Sequence, residues 1–369
     1  MKWTPPSLRR HLYAKVVNSY HLSARRKESN MEVTTIGLDL AKNVFQVHGM
    51  DARGKAVLRK RLTRNKVLPF FANFKPCLIG IEAQGSSNYW ARELIKLGHE
   101  VRIMSPQFVK PYIKSSKNDQ NDAEAICEAV SRPSMRFVPL KSIEQQDLQT
   151  LHRMRELAVK DRTAKVNQAR GLLAEYGIVV PRGITRLKKE MPRILESADN
   201  GLTYFVRELF SELYHELMEL EARVKGYDQR ILKIFNQNPT CQKLGQIAGV
   251  GPLTATAVMA SVGDASSFKN GRQLSAWLGL VPRQHSSGNK KRLLGISKRG
   301  NSYLRGLMIH GARAVIRHSE GKDDPQSRWL NGVKARRGTN RATVALANKN
   351  ARAIWRLLID DAAGQPVLG

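Results

Sequence analysis

Acidic side chains are scarce in this chain. Its 369 residues carry 31 Asp and Glu against 62 Lys and Arg, a formal net charge of +31. Such a surface repels itself unless a polyanion neutralises it, so nucleic acid comes first as a partner and an anionic membrane a distant second. Cysteine is scarcer still. Cys77, Cys127 and Cys241 lie far apart, and no Cys-x-x-Cys occurs. That excludes a zinc knuckle and a disulfide framework, and it fits a reducing cytoplasm. No apolar run reaches the length of a membrane span. The basic first 30 residues lack the apolar stretch of a signal peptide, so they read as a disordered arm or as an over-long start before Met31.

What is present suffices for ordinary folding. Hydrophobic residues make up 41% and charged residues 25%, the balance of a folded, soluble protein. At about 150 residues per domain, two or three domains are expected. Residues 33–140 alternate strand and helix patterns in the order β-β-β-α-β-α-β-α, a mixed α/β sheet. Ser86 or Ser87 is the expected cap of a helix over Ser86–Leu97, with Gly98 just past its end. Residues 141–240 are helical and highly charged. From Val206 the apolar positions Phe210, Leu213, Leu217, Leu220, Val224, Tyr227, Ile231 and Ile234 follow in alternating steps of 4 and 3, a coiled-coil seam. An earlier helix spans roughly Ile143–Tyr176, and Gly177–Gly201, with its prolines and glycines, reads as a turn or linker. The two helices either fold back on each other or pair between subunits. Residues 241–369 form a mostly helical third region. There Gln246–Ala257 reads either as a helix-hairpin-helix, with amides at the Gly249–Gly251 turn holding a phosphate, or as a core turn.

Two segments repeat one pattern. Ile36-Gly37-Leu38-Asp39 and Ile79-Gly80-Ile81-Glu82 both run β-branched residue, glycine, aliphatic residue, carboxylate. A carboxylate where an apolar strand leaves the core is costly unless compensated. In this element order the first and fourth strands can lie parallel and adjacent, which sets Asp39 beside Glu82. Neighbouring carboxylates repel unless they share a proton or a cation, and Mg²⁺ is the natural hard ion. Asp119 and Asp122, three apart at a helix start, share one face; Asp119 alone would read equally as an N-cap. Together, Asp39, Glu82, Asp119 and Asp122 describe a two-metal phosphoryl-transfer site. Glu124 and Glu128 are spare acids nearby.

A second candidate lies in the polar loop over residues 282–299. Ser286 and Ser287 precede Gly288 and the cations Lys290, Lys291 and Arg292, with Lys298 and Arg299 further on. Serine beside glycine in a loop is commonly without chemistry; among these cations it reads alternatively as a hydroxyl that attacks a phosphodiester, and the five basic residues are candidate nucleic-acid contacts.

The stretches Thr35–His48, Gly80–Arg92, Lys117–Glu124 and Gly279–Gly288 closely resemble the transposases of insertion-sequence family one-ten, which include the pilin-gene inverting recombinases. The likeness runs from Met31 to about His318 and leaves residues 1–30 outside. It implies an RNase H/RuvC-like N-terminal domain at 31–140 with an Asp-Glu-Asp-Asp site at Asp39, Glu82, Asp119 and Asp122. A helical coiled-coil region would follow at 141–240, and a C-terminal transposase domain at 241–369. That last domain would carry a nucleophilic serine, Ser287, with Ser286 as the alternative. The implied activity is metal- and serine-dependent cleavage and rejoining of donor and target DNA in the bacterial cytoplasm. Mg²⁺ or Mn²⁺ would be the cofactor, a structured non-coding RNA the guide, and a homodimer or homotetramer the working form. Gln84 departs from the small residue expected beside Glu82. The competing readings are a RuvC-like nuclease or junction resolvase that uses water in place of serine, and a non-catalytic nucleic-acid scaffold.

Overall fold

The computed structural model describes residues 32–114, 119–288, 290 and 292–363, with Asp119 and Ala363 described by their backbone alone. They fall into two compact units, one ending at Leu140 and the other beginning at Lys141.

The first unit is a six-stranded sheet with helices on both faces. Its strands are β1 (Thr35–Asp39), β2 (Val44–Met50), β3 (Ala56–Thr63), β4 (Leu78–Glu82), β5 (Glu100–Met104) and β6 (Phe137–Val138), in the order β3-β2-β1-β4-β5-β6. The first three form an antiparallel meander, β1 runs parallel to β4, β4 parallel to β5, and β6 closes the edge antiparallel. The β2–β3 turn follows from Asp51, whose carboxylate accepts the amides of Arg53 and Lys55, and from Gly54 at φ 78°.

Alternation along the strands assigns the two faces. Ile36, Leu38, Ile79 and Ile81 are buried in one cluster with Phe71, Trp90 and Leu94, which lie on α1 (Val67–Ala72) and α2 (Ser87–Lys96). Gly37 and Gly80 face the other way. A short helix α3 (Pro106–Val109) precedes α4 (Asp119–Val130), and α4 covers that second face. A methyl group on Gly37 would stand 2.1 Å from the Ala123 carbonyl oxygen and 2.4 Å from the Cys127 amide; on Gly80 it would meet Val130 at 2.8 Å. The glycines let helix and sheet approach to backbone contact.

The expected cap on α2 is not made. Ser86 occupies the N-cap position at φ 70°, without a side-chain bond, and Ser87 instead donates to the Gln84 carbonyl. The tight turn after β4 takes the serines out of capping geometry. Gly98 does sit at φ 90°, just past the helix end.

The second unit is almost wholly helical. Two long helices, α5 (Ile143–Ala174) and α7 (Tyr204–Gln237), lie antiparallel: Arg155 pairs with Asp228, Arg162 with Glu221 and Lys165 with Glu216. Phe210, Leu217, Val224 and Ile231, spaced by sevens, are buried along α7. The two helices therefore pair within one chain. Gly177–Gly201 is not merely a linker, because it contains the helix α6 (Ile184–Glu196). Pro192 inside α6 has no amide to offer the Lys188 carbonyl, and the Tyr214 hydroxyl of α7 donates to that carbonyl instead, at 3.4 Å. Leu187 and Met191 of α6 are buried in one cluster with Leu173 and Phe210.

The remaining elements are α8 (Pro239–Gly245), α9 (Pro252–Val262), α10 (Gly271–Trp277), the hairpin β7 (Pro282–Gln284) and β8 (Leu293–Ile296), α11 (Ser302–Arg317), α12 (Pro325–Arg337) and α13 (Thr339–Ala363). Their shared core includes Leu244, Val258, Leu274, Leu304, Met308, Leu346 and Ile354. Asn238, Asn270, Asn301 and Asp324 cap α8, α10, α11 and α12 through their side chains. His152 of α5 ties that helix in. Thr256 donates its hydroxyl to the Pro252 carbonyl, so it accepts from His152 Nε2 at 3.1 Å, and the Tyr303 hydroxyl donates to Nδ1 at 2.9 Å. The Gly249 turn packs into this core, where a methyl on Gly311 would meet the Gly249 carbonyl oxygen at 1.9 Å. Among the described residues no helix is long and apolar enough to cross a membrane.

Candidate metal centre and serine hairpin

The paired register of β1 and β4 runs Ile36 with Ile79, Gly37 with Gly80 and Leu38 with Ile81. Asp39 and Glu82 are the next residues on those neighbouring strands. Both are half-buried. They continue the alternation of Gly37 and Gly80, which places them on the α4 face of the sheet. Along α4 from Ala123 to Cys127, contacts on β1 move back from Gly37 to Thr35, whose carbonyl accepts from Cys127 Sγ at 3.5 Å. The start of α4, where Asp119 and Asp122 lie, is therefore toward the Asp39 end of the strand. Asp122 is half-buried; the Asp119 side chain lies outside the described residues. Among the described residues no three His, Cys, Asp or Glu side chains stand close enough to hold a metal ion.

One residue unremarked for this role braces the strand ends. The Gln84 amide, in the turn after β4, donates to the Leu40 carbonyl just after β1 at 2.6 Å. It bridges the segments that follow Glu82 and Asp39. The only sign of it in the sequence is its departure from a small residue.

The spare acids are engaged elsewhere. Glu124 pairs with Arg59 at 3.6 Å and Lys114 at 3.5 Å, and Glu128 with Lys114 at 3.0 Å and Arg132 at 2.6 Å. The hydrogen bond from Lys114 holds the Glu128 carboxyl below the usual range, helped by Arg132. A cavity of about 180 Å³ opens between β2, β3 and α4, walled by Gln46, His48, Arg59, Arg61 and Asn121 among others. Gln46 pairs with Asp39 across the ladder, so the cavity adjoins the acid-bearing end of β1. Burial pushes the His48 imidazole below its usual range, against a smaller opposing pull from Glu124. The cysteines are inert: burial raises Cys77 and Cys241 to about 11 and Cys127 to about 12.

The segment read as a polar loop is a hairpin. Leu293–Ile296 supplies a strand whose pairing with Pro282–Gln284 outweighs the polarity of the intervening residues. His285 N–H donates to the Arg292 carbonyl and Lys290 N–H to the Ser287 carbonyl. The two serines differ. Ser286 Oγ accepts from the Arg292 amide at 3.2 Å and from Gln284 Nε2 at 3.1 Å. The exposed Ser287 hydroxyl has no partner among the described residues. Lys290, Arg292, Lys298 and Arg299 are exposed, and Lys291 lies outside the described residues.

Residues 36–178 match a transposase family, DEDD_Tnp_IS110, and residues 241–327 match the Transposase IS116/IS110/IS902 family. A probable family 20 transposase of Pseudomonas aeruginosa is 51% identical over 337 residues, 91% of this chain and all of that protein. The transposase for insertion sequence element IS1111A of Coxiella burnetii is 49% identical over 334 residues, 90% of this chain and 92% of its own. The chain belongs to this family of insertion-sequence transposases. It is also similar to the pilin gene-inverting protein of Moraxella bovis, 23% identical over 304 residues, 77% of this chain and 84% of that one. A transposase acts on DNA, which accounts for the excess of positive charge. The DEDD family implies a divalent metal. Hard carboxylate oxygens at adjoining strand ends, near a helix start bearing two more aspartates, suit such an ion.

Proposed function

We propose that this transposase cuts and rejoins donor and target DNA at a RuvC-like, RNase H-type centre made by Asp39, Glu82, Asp119 and Asp122, with Ser287 as nucleophile. The observation that carries the reading is the β1–β4 register, which sets Asp39 and Glu82 on neighbouring strand ends under the start of α4. These four residues would hold Mg²⁺ or Mn²⁺, which when bound polarises the scissile phosphate and offsets its developing charge. Arg59 and Arg61, beside the acids, bind the flanking backbone. The Ser287 hydroxyl attacks phosphorus, the ester bond to the leaving deoxyribose oxygen breaks, and the proton of Ser287 leaves with solvent. The leaving oxygen takes a proton from solvent, so the product is a phosphoserine link and a free DNA hydroxyl, and reversal on a second strand rejoins the DNA. Lys290, Lys291, Arg292, Lys298 and Arg299 hold the phosphates during exchange.

Ser287 is favoured over Ser286 because the latter hydroxyl is already committed within the hairpin. A structured non-coding RNA that pairs with both DNAs reads sequence, and the cationic surface reads backbone. The seam of α7 serves as a coiled coil, and the chain works as a homodimer or homotetramer. Val179, Tyr204 and Phe205, 84%, 82% and 66% exposed at the end of the α5–α7 pair, supply apolar surface for that assembly. The Gly249–Gly251 turn serves as a helix-hairpin-helix, in which Gly251 stays open to a phosphate.

The test is a denaturant-resistant protein–DNA adduct. Wild type and Ser286→Ala should form it and Ser287→Ala should not. Cleavage without any adduct would make water the nucleophile, as in a RuvC-like nuclease or junction resolvase.

A further inference from the structure

A second cavity lies far along the chain from the acids, in the helical unit that begins at Lys141. It has a volume of about 460 Å³ between one face of α5 and the start of α6. Arg162, Val166 and Arg170 line it at four-residue steps along α5, with Thr163 and Asn167 beside them, and Arg182 and Gly183 close it from the other side. Among the described residues no acidic one lines it. Its volume falls in the range of sites for small ligands.

Two of the three arginines are held in place by the fold. Arg170 Nε donates to the Val180 carbonyl at 2.9 Å, which fixes the guanidinium plane. Its two terminal nitrogens have no partner among the described residues. Arg162 Nη1 donates to Glu221 at 3.0 Å, an ion pair that holds the side chain. Arg182 has no acidic partner among the described residues and is exposed at the rim. Planar guanidinium groups set in place before binding lose little entropy on taking up an oxyanion, and they suit phosphate geometry. Gly183, at φ 114°, stands at the N-cap of α6 and offers no side chain, so nothing of its own fills this end of the cavity.

We infer that this cavity seats a backbone phosphate of a nucleic-acid strand, in a place separate in sequence from both the acidic quartet and the serine hairpin. Three donor-only guanidinium groups around a space large enough for a phosphate and its sugar select a phosphodiester. The inference rests on the transposase reading in one respect only, that the ligand is a polynucleotide.

The full chain is titrated with a short fluorescein-labelled single strand over a salt series, followed by anisotropy. Two variants probe the cavity: Arg182→Gln, which removes a rim cation, and Asn167→Glu, which places an acid inside. Lys189→Gln, an exposed α6 cation not lining the cavity, is the comparison. Arg182→Gln should lower the slope of log Kobs against log salt by about 0.7, the value for one phosphate contact on a single strand. Asn167→Glu should weaken binding roughly tenfold or more, with unchanged urea midpoints for both. Ultraviolet cross-linking should place the strand on a peptide from residues 163–186. Wild-type slopes and affinities in both cavity variants, or losses no greater than in Lys189→Gln, would overturn the seat while leaving the transposase reading intact. A polyglutamate peptide competing as well as the strand, charge for charge, would make it an acidic-peptide site and overturn it also. Failure of the wild-type chain to bind any strand would count against the transposase reading itself.

Discussion

Gly37 and Ala123 touch backbone to backbone: a methyl group on the glycine would stand 2.1 Å from the alanine carbonyl oxygen. This contact fixes how closely α4 lies on β1, and so how near the start of α4 comes to Asp39. Gly37→Ala should therefore destabilise the first unit by about 3 kcal/mol or more, since neither backbone can yield without moving a whole element. Gly85→Ala, with open space around it, should stay within about 0.5 kcal/mol. Urea unfolding checks both. Equal stabilities would mean that the helix is not pressed on the strand.

Gln84 links the turn after β4 to the carbonyl of Leu40. Gln84→Ala should lose about 1 kcal/mol of stability and lower strand cleavage more than DNA binding, because the two strand ends lose their brace. Gln84→Glu, which has no amide to donate, should behave like the alanine variant. Single-turnover cleavage with a parallel binding titration separates the effects.

Tyr214 supplies the donor that Pro192 lacks. Tyr214→Phe should cost up to about 1 kcal/mol in the wild-type background. In a Pro192→Ala background it should cost less, because the new amide can reach the Lys188 carbonyl. A double-mutant cycle on urea midpoints reads the coupling, and a zero coupling energy would refute the substitution of one donor for the other.

The buried His152 imidazole is held at about 4, chiefly by burial and secondarily by Arg155. Its folded value thus lies below the ordinary 6.5. The unfolded chain takes up the proton first, so stability falls as pH drops from about 6.5 to about 4, by up to about 3 kcal/mol. His152→Gln should flatten that part of the stability profile. An unchanged acid limb would mean that His152 is protonated in the folded state.

The sheet, and the pairing of the two strands that end in Asp39 and Glu82, are legible because their signals are local. Each buried strand announces itself by β-branched residues, and the shared Ile-Gly-aliphatic-acid pattern marked β1 and β4 as related. What the pattern hid was why the glycines recur. They are the points where α4 and the sheet meet, a contact between residues 86 positions apart for Gly37 and Ala123. The helix α6 was obscured by Pro192, whose cost is offset by a tyrosine on another helix. The hairpin of Ser286 and Ser287 was obscured by its exposure, since strands without a buried face show no alternation. The seam of α7 was plain, but its partner was not, because charge pairs such as Arg162 with Glu221 are spaced for α5 in a way only the fold reveals.

The reaction should depend on each acid of the quartet. Asp39→Ala and Glu82→Ala should each reduce strand cleavage on the order of 10²–10³-fold while binding DNA as before, an effect of the size seen when one stabilising group is lost from a charged transition state. A Glu124→Ala variant, whose acid is committed to Arg59 and Lys114, should retain most of its activity.

The most direct measurement is calorimetric titration of the DNA-free protein with Mn²⁺. The wild type should bind the ion, and Asp39→Ala, Glu82→Ala and Asp122→Ala should each abolish or strongly weaken that binding while Glu128→Ala leaves it unchanged. Binding that survives all three substitutions, with the fold intact, would contradict a metal centre built on the ends of β1 and β4.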